Sequence, residues 1–172
     1  MEVPSEVRWL DFSGATPMLI PRRVAPLWRG TTDRSTGQYR DLDVENPVTD
    51  YDHACATAWN GNGIFNFMGV PVLVLYAESD QITWDSPRCL VACGGWLPTD
   101  DELRQGKWGD PIKWTTEDSD YLLMNSAADG TCELDDDAMS VHLPSGEYTV
   151  ECCYITGVAY GDYFHRFARH QS

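Results

Sequence analysis

Short runs of carboxylates are the part of this sequence whose residue types and spacing come closest to catalytic chemistry. They read "TDDE" (99–102), "TEDSD" (116–120) and "ELDDD" (133–137). General acid–base catalysis needs two carboxylates in unlike environments, one of them partly buried, whereas adjacent acids repel one another and stay hydrated. The spacing therefore favours an exposed acidic surface over a catalytic pair. The stretch 127–140 also lacks the alternating oxygen ligands of a calcium loop.

A cysteine and a histidine offer a second route to catalysis. Cys55 and His142 could pair as nucleophile and general base, but Cys55 also fits the apolar stripe of a helix and His142 fits a strand. The sequence has no GxSxG, GxxxxGKS or GxGxxG motif, and its six cysteines include no CxxC pair. We therefore predict a protein that is not an enzyme and needs no metal or cofactor, with all six cysteines reduced and mostly buried.

Acidic residues dominate the composition. The chain carries 27 acidic and 12 basic residues, a formal net charge of −15, and residues 41–140 hold twenty of the acids and only four bases. Such a field repels nucleic acids and anionic membranes, and it accelerates association with a basic protein. We expect a protein partner, no nucleic acid and no membrane. Because the first residues lack a basic start followed by an apolar core, we also expect a cytoplasmic location.

The segment 7–30 contrasts with this acidity, because it combines two tryptophans with four arginines. They are Trp9, Trp28, Arg8, Arg22, Arg23 and Arg29. The segment could be a basic, aromatic binding site or part of the scaffold. We favour the scaffold, with the tryptophans packed in the core and the arginines paired with some of the many acids, each pair contributing little at the surface.

Two short helices are predicted from capping signals. Thr49 or Asp50 can cap a helix in which Tyr51, Cys55 and Trp59 form one apolar stripe, with Gly61 ending it. A second helix follows Thr99, because Glu102 stands three residues later, the spacing of a capping box.

The rest of the chain favours strands. Alternating or continuous apolar runs predict about nine of them, over 7–12, 18–21, 64–76, 82–84, 88–93, 120–126, two runs within 138–155, and 162–170. Residues 22–30 predict only a short helix or turn, because Pro26 interrupts them. The expected fold is a single α+β, mostly β domain spanning 1–172, with largely antiparallel strands.

Several motifs together resemble the immunity protein 21 family of bacterial polymorphic-toxin systems. The resemblance covers most of the chain and includes "VLVLYAESDQITW", "LPSGEYTV" and "YFHRFAR". The motif residues are Trp9, Pro21, Trp28, Gly30, Asp50, Tyr51, Cys55, Gly146 and Tyr148. The chain departs from the family pattern in "GAT" before Pro17, in His53 where arginine is common, and in "LYAESD". The resemblance implies a mostly β protein that binds and neutralises a cognate toxin.

Many toxins of such systems are nucleases with a basic substrate groove, which an acidic surface could occlude. We therefore assign the toxin-facing surface to the acidic loops. Their residues are Asp100, Asp101, Glu102, Glu117, Asp118, Asp120, Asp135, Asp136 and Asp137. The alternatives are a nuclease inhibitor or regulatory module outside a toxin system, which "LPSGEYTV" also resembles, and a small enzyme using a Cys–His or carboxylate pair. An acidic domain without a partner is the remaining alternative.

Overall fold

Two antiparallel β-sheets packed face to face make up the protein in a computed structural model, which describes residues 7–12, 16–33, 35–131, 137–156 and 161–171. In chain order the elements are β1 (Leu10–Asp11), β2 (Pro17–Pro21), a 3-10 helix (Ala25–Leu27), α1 (Asp50–Thr57), β3 (Gly63–Phe67), β4 (Val70–Val74), β5 (Gln81–Asp85), β6 (Leu90–Cys93), α2 (Asp100–Gln105), β7 (Lys107–Trp108), β8 (Ile112–Thr116), β9 (Asp120–Asn125), β10 (Ala138–His142), β11 (Gly146–Thr156) and β12 (Gly161–Arg169). The expected mostly β architecture with two short helices is confirmed.

The strands divide into a large and a small sheet. The large sheet has the order β1-β5-β6-β12-β11, and β7 and β8 both pair with β11 along its outer edge. The small sheet has the order β10-β9-β2-β4-β3. All these pairings are antiparallel. Strands β7 and β8 were not predicted from the sequence.

The predicted strand over 64–76 is two strands, which is a correction. Strands β3 and β4 form a hairpin closed by a two-residue turn at Met68 and Gly69, both with positive φ (53° and 80°). The Asn66 side chain accepts a hydrogen bond from the Gly69 amide at 3.0 Å. Consecutive left-handed residues match the twist of paired strands, but glycine, asparagine or aspartate usually occupies the first position. Met68 at that position hides the turn from a sequence-based prediction.

The main hydrophobic core lies between the two sheets. The indole of Trp114, on β8, contacts Tyr121 and Tyr148 with ring centroids 5.3 and 5.9 Å apart. Tyr148 and Val150 both point into this core, as the alternation of β11 predicts. Aromatic pairs of this kind join residues of both sheets, so the core fixes the sheets relative to each other.

Each outer sheet face carries one of the helices. Helix α1 covers the small sheet through Tyr51, Ala54 and Cys55, and α2 covers the large sheet through Leu103. Both helices begin with a complete capping box. The box at Thr99 was predicted, whereas at the first helix the sequence indicated only a cap at Thr49 or Asp50, and the structure assigns it to Thr49.

The end of helix α1 corrects another prediction. The helix stops at Thr57, so Trp59 does not continue the stripe of Tyr51 and Cys55. Instead its side chain is 62% exposed, in the turn that leads to β3. A capped helix of eight residues makes little more than two turns, too few to carry a third residue of an i, i+4, i+8 stripe.

The segment 7–30 has the scaffold features expected of it. Trp28 is fully buried, and its indole N–H donates to the Ser126 carbonyl at 2.8 Å. Trp9 is only half-buried, against the outer core of the large sheet. Gly30 has φ of +57° and faces the backbone of Ala127 so closely that a Cβ would overlap it. This glycine is therefore required at its position.

Candidate functional site

Acidic side chains of α2 are exposed to solvent and also make contacts within the protein. Asp100 and Asp101 have side chains 78% and 73% exposed. Asp100 accepts from Arg88 at 3.2 Å, and Asp101 pairs with Arg104. Glu102 closes the capping box, and acids in a first helical turn interact favourably with the helix dipole. These residues therefore stabilise α2 and also present charge to solvent.

The acids of the β8–β9 connection are a second group. Asp118 holds Arg23 through two hydrogen bonds of 2.7 and 3.0 Å, and this pairing raises the pKa of the arginine. Asp120 lies 3.3 Å from the ring of His142. Glu117 is exposed beside them. The negative charge of Asp118 is thus largely offset by Arg23, whereas the Glu117 side chain is exposed to solvent.

The third acidic group lies elsewhere. Asp137 is exposed at the start of β10, while Asp135 and Asp136 lie outside the described residues. Asp120 pairs with the last residue of β10, and the first residue of β10 pairs with Met124. Asp120 and Asp137 therefore lie at opposite ends of the β9–β10 hairpin, about 17 Å apart at the strand rise of ~3.4 Å per residue. Asp120 and Asp137 thus do not belong to one compact patch.

An aromatic groove, which the sequence analysis did not predict, lies where the two sheets open beside β3 and β7. A cavity of about 700 Å³ adjoins one of about 370 Å³, and the two share Trp59 and Tyr76. Trp108, Tyr154 and Tyr163 also line the larger cavity. Together these two cavities are called the Trp59 groove below, and their size is typical of ligand sites.

Three tyrosines in ring-to-ring contact form one wall of the Trp59 groove. Tyr154 and Tyr163 are direct cross-strand partners on β11 and β12, with ring centroids 5.0 Å apart. Tyr76 crosses Tyr163 edge to face at 4.8 Å and thus joins the small sheet to the large one. Aromatic neighbours at these distances hold one another in place, so the wall is preformed.

The side chain of Asn62 holds this wall in place through hydrogen bonds to Tyr76 and His165. Its side-chain oxygen accepts from the Tyr76 amide at 2.9 Å, and its amide nitrogen lies 2.9 Å from Nδ1 of His165. His165 is fully buried, and burial lowers its pKa to about 4. The ring is therefore neutral at pH 7, and it serves as a hydrogen-bonding support beneath the groove.

Charged groups lie along the edges of the groove. Asp110 and Lys107 line the larger cavity, and Glu78 accepts a 2.6 Å hydrogen bond from the Tyr76 hydroxyl. This hydrogen bond raises the pKa of Tyr76. Cys152 also lines the cavity, but burial raises its pKa to about 12, so it is a thiol rather than a nucleophilic thiolate.

The possible Cys–His pair is not assembled. Cys55 lies on the buried face of α1, in one apolar cluster with Tyr51, and burial raises its pKa. His142 is exposed beside Asp120, at the far end of the small sheet. The five cysteines within the described ranges are all free thiols, and Cys132 lies outside those ranges.

The comparisons with other proteins give no match. No protein-family model matches the chain, and no curated protein or solved structure is significantly similar to it. In the described part of the chain, no three His, Cys, Asp or Glu side chains are grouped as metal ligands. No helix in those ranges has the length and apolar character to cross a membrane.

One sequence signal could have indicated the groove. Cys152 and Tyr154 follow Tyr148 and Val150 on the same face of β11, but the core contains only the first pair. Two further aromatic or apolar positions on an inward face indicate that the sheets extend beyond the packed core. The sequence alone does not show that the loop carrying Trp59 lies opposite them.

Proposed function

We propose that this protein is an immunity protein that binds and neutralises a cognate toxin, attracting a basic partner with its acidic surface. The observation that carries the proposal is the exposure of carboxylates on a chain of net charge −15. Asp100, Asp101 and Asp120 have side chains 73–78% exposed, and the Glu147 side chain is 68% exposed. The motif resemblance described above supports the toxin as the kind of partner.

The distribution of these acids over the surface determines how they would attract a basic partner. They lie on α2, at the start of β9 and near the start of β11, so their fields add over much of the surface. A field of this kind speeds diffusional encounter with a basic protein, and salt weakens it. We therefore expect the association rate, more than the dissociation rate, to depend on net charge.

Rescue of cells is the direct test. The toxin candidate encoded next to this protein is expressed in cells with and without it, and survival is measured. Purified complex formation is then followed at about 20 and 300 mM salt. We expect rescue and an association rate that falls steeply with salt. Failure to rescue cells and to form a complex would refute the proposal.

A matched pair of variants tests the role of charge. Asp100→Asn with Asp101→Asn removes two negative charges, and Asp100→Glu with Asp101→Glu keeps both. The first variant is expected to slow association about twofold at low salt, and the second to leave it unchanged. Equal association rates for both would show that the acidic surface of α2 does not attract the toxin.

A further inference from the structure

We propose that the Trp59 groove binds an arginine side chain presented by an extended basic segment of the protein partner. The guanidinium would lie against the aromatic faces and near the carboxylates of Asp110 and Glu78. The identity of the partner as a basic protein rests on the proposed function. The assignment of the site rests on the groove itself.

The exposure of Trp59 is the first argument. A tryptophan side chain that is 62% exposed leaves a large apolar surface in water, and here two cavities meet at it. Tryptophan is among the residues most enriched at the energetic centres of protein interfaces. The two cavities share Trp59 and Tyr76, so together they offer room for more than one side chain of a bound segment.

The charges of the groove and of the whole protein indicate which kind of peptide segment the groove would bind. Asp110 in the cavity offsets Lys107 three residues before it, and Glu78 at the edge adds a further carboxylate. The net charge of −15 on the whole chain also repels an anionic segment and attracts a cationic one. Aromatic faces together with carboxylates favour a guanidinium, which stacks on rings and forms planar paired hydrogen bonds.

The molecule contains the same arrangement within itself. On the outer side of the large sheet, the guanidinium carbon of Arg166 lies 4.1 Å from the ring centre of Trp108. The same side chain donates to Glu151 at 2.7 Å. Indole, guanidinium and carboxylate thus already combine at Trp108, which itself lines the larger cavity. The groove offers Trp59 and Asp110 without such an arginine among its lining residues.

Peptide binding tests the site without the toxin. The full-length protein is titrated with the peptide acetyl-(Gly-Arg)₃-amide, and the indole N–H resonance of Trp59 is followed by NMR. The matched probe replaces arginine with citrulline, which has nearly the same shape and no charge. We expect the arginine peptide to shift the Trp59 resonance and to bind at least about tenfold more tightly than the citrulline peptide. Equal binding of both peptides, or an unshifted Trp59 resonance, would overturn the proposal.

Variants separate the groove from the general charge. Trp59→Ala is expected to weaken arginine-peptide binding about tenfold, and Leu27→Ala, an exposed apolar control on the 3-10 helix, to leave it unchanged. Because Trp59 is mostly exposed, its replacement should not unfold the protein. Trp59→Phe retains an aromatic face and should keep part of the affinity.

A second comparison holds the net charge constant. Glu78→Gln with Asp110→Asn and Asp100→Asn with Asp101→Asn each remove two negative charges, but only the first pair lies at the groove. The groove pair is expected to weaken peptide binding several-fold more than the α2 pair. An equal effect of both pairs would show that the peptide responds only to overall charge, which would overturn the site.

The toxin assay distinguishes the two proposals. If the arginine peptide binds at Trp59 but the protein gives no rescue, the groove stands and the immunity function fails. If the protein rescues cells and Trp59→Ala rescues equally well with unchanged affinity for the toxin, the immunity function stands and the groove is not its docking site.

Discussion

His165 should make the stability of this protein depend on pH. Its ring is fully buried, and burial lowers its pKa from 6.5 to about 4 in the folded chain. As the pH falls below 6.5, the unfolded chain binds a proton at this residue before the folded chain does. The contribution of neutral His165 is therefore fully present above pH 6.5 and is lost progressively between pH 6.5 and 4.

The size of the effect follows from the two pKa values. Each pKa unit corresponds to about 1.4 kcal/mol, so a shift from 6.5 to about 4 amounts to about 3 kcal/mol in the free energy of unfolding. This is a substantial part of the ~5–15 kcal/mol that a domain typically has. His165→Gln removes the titrating ring and keeps a side chain that can hydrogen-bond to Asn62.

Urea unfolding followed by tryptophan fluorescence at pH 7, 6, 5 and 4.5 measures the difference. The free energy of unfolding of the native protein should fall relative to that of His165→Gln by about 1 kcal/mol per pH unit below pH 6. Parallel curves for native protein and His165→Gln would refute the reasoning. If the variant does not fold, the NMR titration of the His165 ring in native protein decides, because a pKa above 6 contradicts it.

Three further substitutions test the scaffold by urea unfolding. Asp52→Ala removes the carboxylate that accepts hydrogen bonds from three backbone amides of the loop 43–49. The free energy of unfolding should fall by about 3 kcal/mol, and a decrease below about 1 kcal/mol would contradict this role of Asp52. Gly30→Ala places a Cβ against the facing backbone at positive φ and should cost 2 kcal/mol or more, whereas native stability would show that the backbone yields there. Arg22→Ala combined with Arg23→Ala should cost about 1 kcal/mol or less, because both side chains lie at the surface, and a larger loss would show that their contacts are essential.

Local signals explain why the helices and most strands could be predicted. Thr49 and Thr99 each carry the acid three residues later that completes a capping box, and both boxes form. The alternation in β11 likewise follows from the side-chain period of a strand. In each case the residues that determine the element lie within a few positions of one another.

Elements that depend on distant partners could not be predicted in this way. Strand β7 has two residues, and its strand character comes from pairing with Cys153 and Tyr154 about 45 positions later. The end of α1 was placed too late because the apolar side chain of Trp59 was assigned to the helix stripe. Its real position depends on the turn into β3, which brings it over a cavity lined by both sheets.

For the candidate site, too, local features could be predicted from the sequence and contacts between distant segments could not. Acidic segments are visible in the sequence, but their arrangement is not, because Asp118 is held by Arg23 from a segment 95 residues away. The larger cavity of the Trp59 groove alone needs residues from five separate parts of the chain to meet. Only the pairing order of the strands brings them together.

Charge and groove have different consequences for binding. Under the proposed function, carboxylates that lie on α2, beside β9 and at the start of β10 would attract a basic partner without fixing its orientation. An aromatic groove that accepted one side chain of the partner would fix the orientation, and contacts of that kind act mainly on dissociation. Salt and loss of surface acids should therefore change the association rate of a complex, and Trp59→Ala its dissociation rate. Such separation would mean that the acidic composition and the exposed tryptophan contribute to two successive steps of one recognition event.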